Sequence, residues 1–354
     1  MVLKLPLLAL SAVLLINSAS LGASPFSDSY AAYQHAIEVK DIQAAEQYAQ
    51  QTYLLGQGYF EPGAIDITHL QLNWATSLQA KGDLEAAHQQ FLQVLETYRS
   101  YFGADAIEVI DPLLGAAQTI SASKEQKSLF KEAISIAQTS DNLLLTAEVK
   151  LLAFKALVST EYYGRDIRSD VLDAYEIYQQ LPNNDIRRIT ATYYVGVIKA
   201  SEKRYSDAIS HLEEVVKQFA VLDFSHPYKL SAHARLVELY EHEGESEQAT
   251  AHCIAIGSMT PWDDQQEQTP LFRSSPQYPM SYIRAGREGW SQIEFTVDEQ
   301  GFVQDPVTVA SEGGPLFIKE SLKAIKQWRY APKFVDGKPV AAQTTVRLLF
   351  EVQG

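Results

Sequence analysis

Eight histidines and one cysteine are the residues of this chain best suited to metal binding or nucleophilic chemistry. His242 and Glu243 begin a two-histidine helical zinc motif, but the position four residues after His242 is Ser246, so the second ligand on that helical face is missing. One site can be assembled on paper from His242, His252 and Cys253, as a metal centre or as the core of an envelope hydrolase. The other histidines, His35, His69, His88, His211, His226 and His233, are scattered through the same helical region. Surface and groove positions of a helical array account for all of them. Cys253 falls where such an array wants a core side chain, which favours a buried, inert thiol over a nucleophile. No glycine-rich phosphate loop and no Gly-x-Ser-x-Gly elbow occur. The expectation is a protein without catalytic residues, metal or cofactor.

Charge and cysteine usage narrow the classes further. Over 354 residues, 29 Lys and Arg stand against 44 Asp and Glu, a net charge of -15. That is the wrong sign for neutralising phosphates, so nucleic-acid partners are excluded. A lone Cys253 rules out an intramolecular disulfide framework. The charge is also divided: residues 23–269 carry 18 basic and 35 acidic side chains (-17), and residues 270–354 carry 10 and 9 (+1). Two modules with different partners are expected.

The chain begins with Lys4 ahead of an apolar run, LPLLALSAVLLI, followed by Asn17, Ser18 and Ser20. Twelve apolar-rich residues are short of the roughly 20 that span a bilayer. Residues 1–24 therefore read as a secretory signal peptide, with an uncleaved anchor as the alternative. Either places the bulk of the chain outside the cytoplasm.

The middle, 25–259, is repetitive. WATSLQAKGDLEAAHQQFLQVL (74–95), YYVGVIKASEKRYSDAISHLEEVV (193–216) and RLVELYEHEGESEQATAHCIAI (235–256) each give a helix, a short polar turn and a second helix. Ala87, Ala208 and Ala249 stand at the same point after the turn, and Tyr33, Asp41 and Ala45 make a weaker first copy. The spacing from Ala45 to Ala87 is 42 residues, and from Ala208 to Ala249 it is 41. A small residue is needed there because two helices approach closely only where a side chain is short. Between Asp105 and Leu181 the helical period persists, with Ala133 and Ala174 as candidate equivalents. The pattern resembles the tetratricopeptide repeat in a longer form, which implies an all-α solenoid used for protein–protein binding through its concave face.

Beyond a polar, proline-bearing linker at 260–274 the hydrophobic period changes from 3.6 to 2. WSQIEFTV (290–297) and FVQDPVTVAS (302–311) read as two strands, PLFIKESLKAIKQW (315–328) as an amphipathic helix and TTVRLLFEV (344–352) as a last strand. Asp336, Gly337, Lys338 and Pro339 form a turn. This is a small α+β domain of order β-β-α-β, 275–354, with a helix over one sheet face. Its motifs PQYP (276–279), REGW (287–290), DEQGFV (298–303), AIKQWRYAPKFVDGKPV (324–340) and VRLLFEV (346–352) resemble the C-terminal domain of the TonB family.

The resemblance implies capture of an extended peptide from an outer-membrane receptor by addition to the final strand. The implied peptide-binding positions are Gln343, Thr344, Thr345, Val346, Arg347, Leu348 and Leu349, with Pro276, Gln277, Tyr278 and Pro279 nearby. Ser275 stands where the motor-coupled members often carry Gln. The apolar leader holds no histidine, and repeats replace the family's proline-rich spacer. The expected role is a periplasmic adaptor of a TonB-dependent transport system, serving uptake of siderophores or haem as the family implies. Its partners are an outer-membrane TonB-dependent receptor or other TonB-system subunits, and an unidentified protein on the repeats. A membrane-anchored transducer is the alternative, and dimerisation through the C-terminal edge strand is a further use of the same surface.

Overall fold

The computed structural model describes residues 24–222 and 226–352. The leader assigned to 1–24 lies outside them except for Ser24, whose side chain caps the first helix. The chain divides into two compact units, one ending at Gln180 and the other beginning at Leu181. Among the described residues no helix is long and apolar enough to cross a membrane.

Twelve helices form six successive hairpins. The first unit holds α1 (Pro25–Glu38) with α2 (Ile42–Tyr59), α3 (Ile65–Lys81) with α4 (Leu84–Phe102), α5 (Ile110–Gln118) with α6 (Lys124–Thr139), and α7 (Leu143–Leu157) with α8 (Arg165–Tyr178). The second holds α9 (Ile186–Ser201) with α10 (Tyr205–Ala220) and α11 (Pro227–Glu243) with α12 (Ser246–Met259). Four hairpins turn in the same way. Lys40, Gly82, Lys203 and Gly244 adopt positive φ at the turn, and Ala45, Ala87, Ala208 and Ala249 follow five residues later. Each of these alanines is the fourth residue of its helix and is buried. Gly82 and Gly244 suit the left-handed position best; the two lysines adopt it at a small cost.

The remaining two hairpins depart from the expected register. Ala133 and Ala174 are buried but stand tenth in α6 and α8, so they are not equivalents of the other four. The fourth position there is held by Lys127 and Arg168. Lys127 Nζ donates to the Tyr162 carbonyl at 3.0 Å and to Asp166 at 3.1 Å, so polar bonds to the next hairpin take the place of close helix contact.

After α12 comes the sheet domain, opened by a short helix, α13 (Met280–Arg284). Strands β1 (Gly289–Val297), β2 (Val303–Glu312) and β5 (Ala342–Phe350) form an antiparallel sheet of order β2-β1-β5, with α14 (Pro315–Ile325) over one face. Ile293, Phe295, Val346, Leu348 and Phe350 meet Phe317, Ile325 and Trp328 beneath that helix, burying a continuous apolar layer. Ser291 and Ser321 bond to each other at 2.6 Å inside it. The turn read at Asp336–Pro339 narrows to Asp336 and Gly337, the tip of a separate hairpin, β3 (Lys333–Val335) with β4 (Lys338–Val340).

Within the second unit this domain is seated on α11 and α12. Arg329, 1% exposed, pairs with Glu241 of α11, donates to Thr250 Oγ1 of α12 at 2.7 Å and to the Gln300 carbonyl at 3.1 Å, and lies 3.7 Å over the Phe302 ring. Its backbone also bonds Phe272 and Leu271. The 260–274 stretch is thus a linker held in place, since Leu271 and Phe272 also pack on the α9–α12 core and Ser274 accepts from Trp328 Nε1 at 2.8 Å. Gly301 is required twice over: its φ is 84°, and a Cβ there would collide with the Tyr330 carbonyl while approaching Cys253.

The same hairpins bury a polar chain. His233 and His252 approach at 2.8 Å through their Nδ1 atoms, and Glu213 Oε1 lies 3.0 Å from both His252 Nε2 and the Tyr240 hydroxyl. Every bond is satisfied with neutral rings when His233 Nδ1–H donates to His252 and His252 Nε2–H donates to the carboxylate. Burial lowers both histidines, His233 to about 4, with the neighbouring His252 adding to its shift.

Two outcomes are expected in denaturant unfolding of the full chain. Arg329→Ala strands the half of a buried pair that belongs to Glu241 and should cost about 3–5 kcal/mol, whereas Arg329→Met combined with Glu241→Leu should recover most of it. A loss below about 1 kcal/mol in the single variant would remove the pair from its organising role. For His233, the unfolded ring titrates near 6.5 and the folded ring near 4, so the unfolded chain binds the extra proton. Its contribution is complete above about pH 6.5 and is lost as the pH falls towards 4, by something on the order of 2 kcal/mol. His233→Gln should flatten the stability profile in that window.

Candidate peptide-binding edge

A three-stranded sheet leaves two rims, and they differ. β2 pairs with β1 through register shifts between Gln292 and Ile293 and between Glu294 and Thr296; it also contains Pro306 and, at Asp305, a φ of 48°. Such irregularities blunt an edge. β5 pairs with β1 without interruption over nine residues, from Gly289↔Phe350 to Val297↔Ala342. Among the described residues no strand pairs with its other side. The regular rim is therefore the one formed by Gln343, Thr344, Thr345, Val346, Arg347, Leu348 and Leu349, and it presents unpaired backbone donors and acceptors in a row.

The side chains of β5 alternate as a half-buried strand requires. Val346, Leu348 and Phe350 point under α14, while Gln343, Arg347 and Leu349 are exposed. Leu349 pairs in register with Trp290, whose Nε1 donates to Glu312 at 3.0 Å and whose ring carries the Arg347 guanidinium at 3.7 Å. That cation–π contact fixes Arg347 across the outer face of the sheet.

The structure separates the PQYP residues from the middle of this rim. Pro276 and Gln277 line a shallow groove against Glu320, Lys323 and Ala324 of α14 and Gln327 just beyond it. Tyr278 packs edge-on against Phe317 at 5.4 Å and Phe350 at 5.6 Å, and its hydroxyl donates to the Arg287 carbonyl at 2.7 Å. Pro279 caps α13. The motif thus reaches β5 only at Phe350, as packing.

A groove of about 490 Å³ runs along β5 instead, and part of its lining escaped the sequence reading. Gln343, Thr344, Thr345, Val346 and Arg347 form one side with Gln292 and Glu294 of β1, and Trp262, Asp263, Asp264 and Glu267 form the other. Trp262 packs against the sheet-domain core and Lys333 Nζ holds Asp264 at 2.7 Å, so the wall is fixed at both points. Its signal in the sequence was Trp262, a large apolar residue in an otherwise polar stretch.

The histidine and cysteine candidates do not converge. His242 stacks on Tyr205 at 5.6 Å and meets Phe272 edge-on, while His252 points into the Glu213 network. Cys253 is buried against Gly301, and burial pushes its thiol up to about 12. Among the described residues no group of three or more His, Cys, Asp or Glu side chains could hold a metal ion.

With this geometry in hand, comparison with known proteins is informative. Residues 274–352 match the family model described as "Gram-negative bacterial TonB protein C-terminal". The chain is 33% identical over 79 residues to Protein TonB of Vibrio cholerae, covering 22% of this chain and 32% of that protein. It is 31% identical over 84 residues to Protein TonB of Pseudomonas aeruginosa, covering 24% of this chain and 25% of that protein. The chain thus spans a third or less of the length of these relatives. The quorum sensor NprR of B. thuringiensis, in its apo form, superposes with a TM-score of 0.50 at 9% identity, over 66% of this chain and 65% of that chain, a likeness of fold alone. The helical hairpins are tetratricopeptide-like, and residues 274–352 that follow them form a domain of the TonB C-terminal family.

Proposed function

We propose that the protein is a non-enzymatic adaptor of a TonB-dependent transport system, acting on the periplasmic side of a Gram-negative envelope. The sheet domain takes an extended peptide of an outer-membrane receptor, or of another TonB-system subunit, as a fourth strand on β5. The repeats bind a second protein. The observation that carries this reading is the β5 rim: nine regularly paired residues with an open outer side, within the stretch matched to the TonB C-terminal family. β-augmentation draws its affinity from main-chain bonds and its selectivity from alternate side chains, and β5 offers both. Uptake of siderophores or haem is the cargo consistent with that family.

The test uses the full chain and a synthetic peptide copied from the periplasmic N-terminal segment of a TonB-dependent receptor. Amide signals of Gln343, Thr345, Arg347 and their neighbours should shift on binding, and alternate ones should gain exchange protection. N-methylating every second peptide amide in one phase should weaken binding at least about tenfold, since each lost strand bond removes about 1 kcal/mol, while the opposite phase should be tolerated. Shifts confined to β2 or to the 276–279 groove would refute the assignment.

A further inference from the structure

The groove beside β5 carries information about which peptide it accepts, and drawing it out rests on the augmentation reading above. Its outer wall, 262–267, lies outside the residues matched to the family, so its chemistry belongs to this chain. Four carboxylates line the groove: Asp263, Asp264, Glu267 and Glu294. Asp264 is neutralised by Lys333. The other three have no ion-pair partner among the described residues, and the Asp263 side chain accepts only a backbone bond, from Gln265 N at 2.8 Å. One cation, Arg347, shares the lining, and its guanidinium is held over Trp290.

The wall is built rather than draped. Half-buried Trp262 packs against the sheet-domain core, Lys333 pairs with Asp264, and the Gln268 side chain donates to the Asp263 carbonyl at 2.6 Å. The backbones on either side, α12 and Phe272, are both fixed on the second unit's hairpin core. A peptide entering beside β5 therefore meets carboxylates carried on a tethered segment, and its own residues alternate between the apolar side of Val346 and Leu348 and the outer side of Thr345 and Arg347.

We propose that the wall selects a positively charged extended peptide: an alternating segment with apolar side chains beside Val346 and Leu348, and lysine or arginine beside Gln343, Thr345 and Glu294. The cations belong at that end because Arg347 repels them at the other. Uncompensated carboxylates at a partly exposed rim discriminate mainly by attraction and repulsion at short range, so the preference weakens with salt.

Three capped peptides test it against the full chain: Thr-Val-Lys-Val-Lys-Val-Thr and its counterparts with Ser or Glu in place of Lys. The Lys peptide should bind about tenfold more tightly than the Ser peptide at low ionic strength, the Glu peptide more weakly than either, and the differences should shrink in 0.5 M salt, where the screening length falls to roughly 4 Å. Asp263→Asn, Glu267→Gln and Glu294→Gln together should bring Lys binding down to the Ser level and leave Ser binding unchanged. Equal binding of all three peptides on β5, or a Lys preference that survives the triple variant, would overturn the charge selection and leave the edge reading standing. Failure of every peptide to bind would instead remove the edge reading, and this inference with it.

Discussion

A guanidinium taken out of water needs partners for its charge and donors, and the two terminal nitrogens of Arg329 find them in groups that are far apart in sequence. Glu241 supplies the charge, Thr250 and Gln300 supply acceptors, and Phe302 supplies a π face. Glu241 and Thr250 belong to the last helical hairpin, while Gln300 and Phe302 belong to the β1–β2 turn of the sheet domain. An unmatched buried charge costs several kcal/mol, so the domain has one favourable seat on α11 and α12. Close approach at that seat needs the missing side chains of Gly301, against Tyr330 and Cys253, and of Gly257, against Pro332.

From that seat the path of the connecting residues follows. Leu271 and Phe272 must reach the Arg329 backbone, and Ser274 must reach Trp328. The chain leaving α12 has only the 260s in which to cross, and it crosses beside β5. A spacer that swung freely would leave the β5 rim bare. Here the spacer is short and bound at its far end, so the rim becomes one wall of a groove whose other wall is the spacer itself. The buried pair and the β5 edge are thus mechanically related within the second unit, although no residue serves both.

The sequence exposed much of this and hid the rest for identifiable reasons. Four hairpins were legible because a positive-φ turn residue and an alanine recur at a fixed offset, with a capping aspartate, Asp41 or Asp83, in two of them, and these report local geometry. The other two hairpins were legible only as helical period. Lys127 and Arg168 occupy the diagnostic position, and Lys127 replaces a packing signal with hydrogen bonds that a sequence does not display. The sheet domain was legible from its period of two, including the final strand. The placement of PQYP was not, because contact between Tyr278 and Phe350 joins positions 72 residues apart in sequence. The 260–274 segment was read by composition, which reports polarity and says nothing about a non-local partner such as Arg329.

Charge gives the sharpest instance of that difference. Divided along the chain near residue 270, the acidic excess belongs to the repeats and the sheet domain is almost neutral, at +1. Charges act through space, however, over a screening length of about 8–10 Å in physiological salt, and not along the sequence. Asp263 and Glu267 are counted with the helices, yet they line the groove of the sheet domain together with Glu294. The groove along β5 is consequently lined by an excess of carboxylates although the strand itself contributes a cation, Arg347. A near-neutral domain has acquired an acidic edge from the segment that ties it down, and the tie exists because Arg329 is buried. What a strand edge presents to a partner is in this protein a property of the fold's connections as much as of the strand.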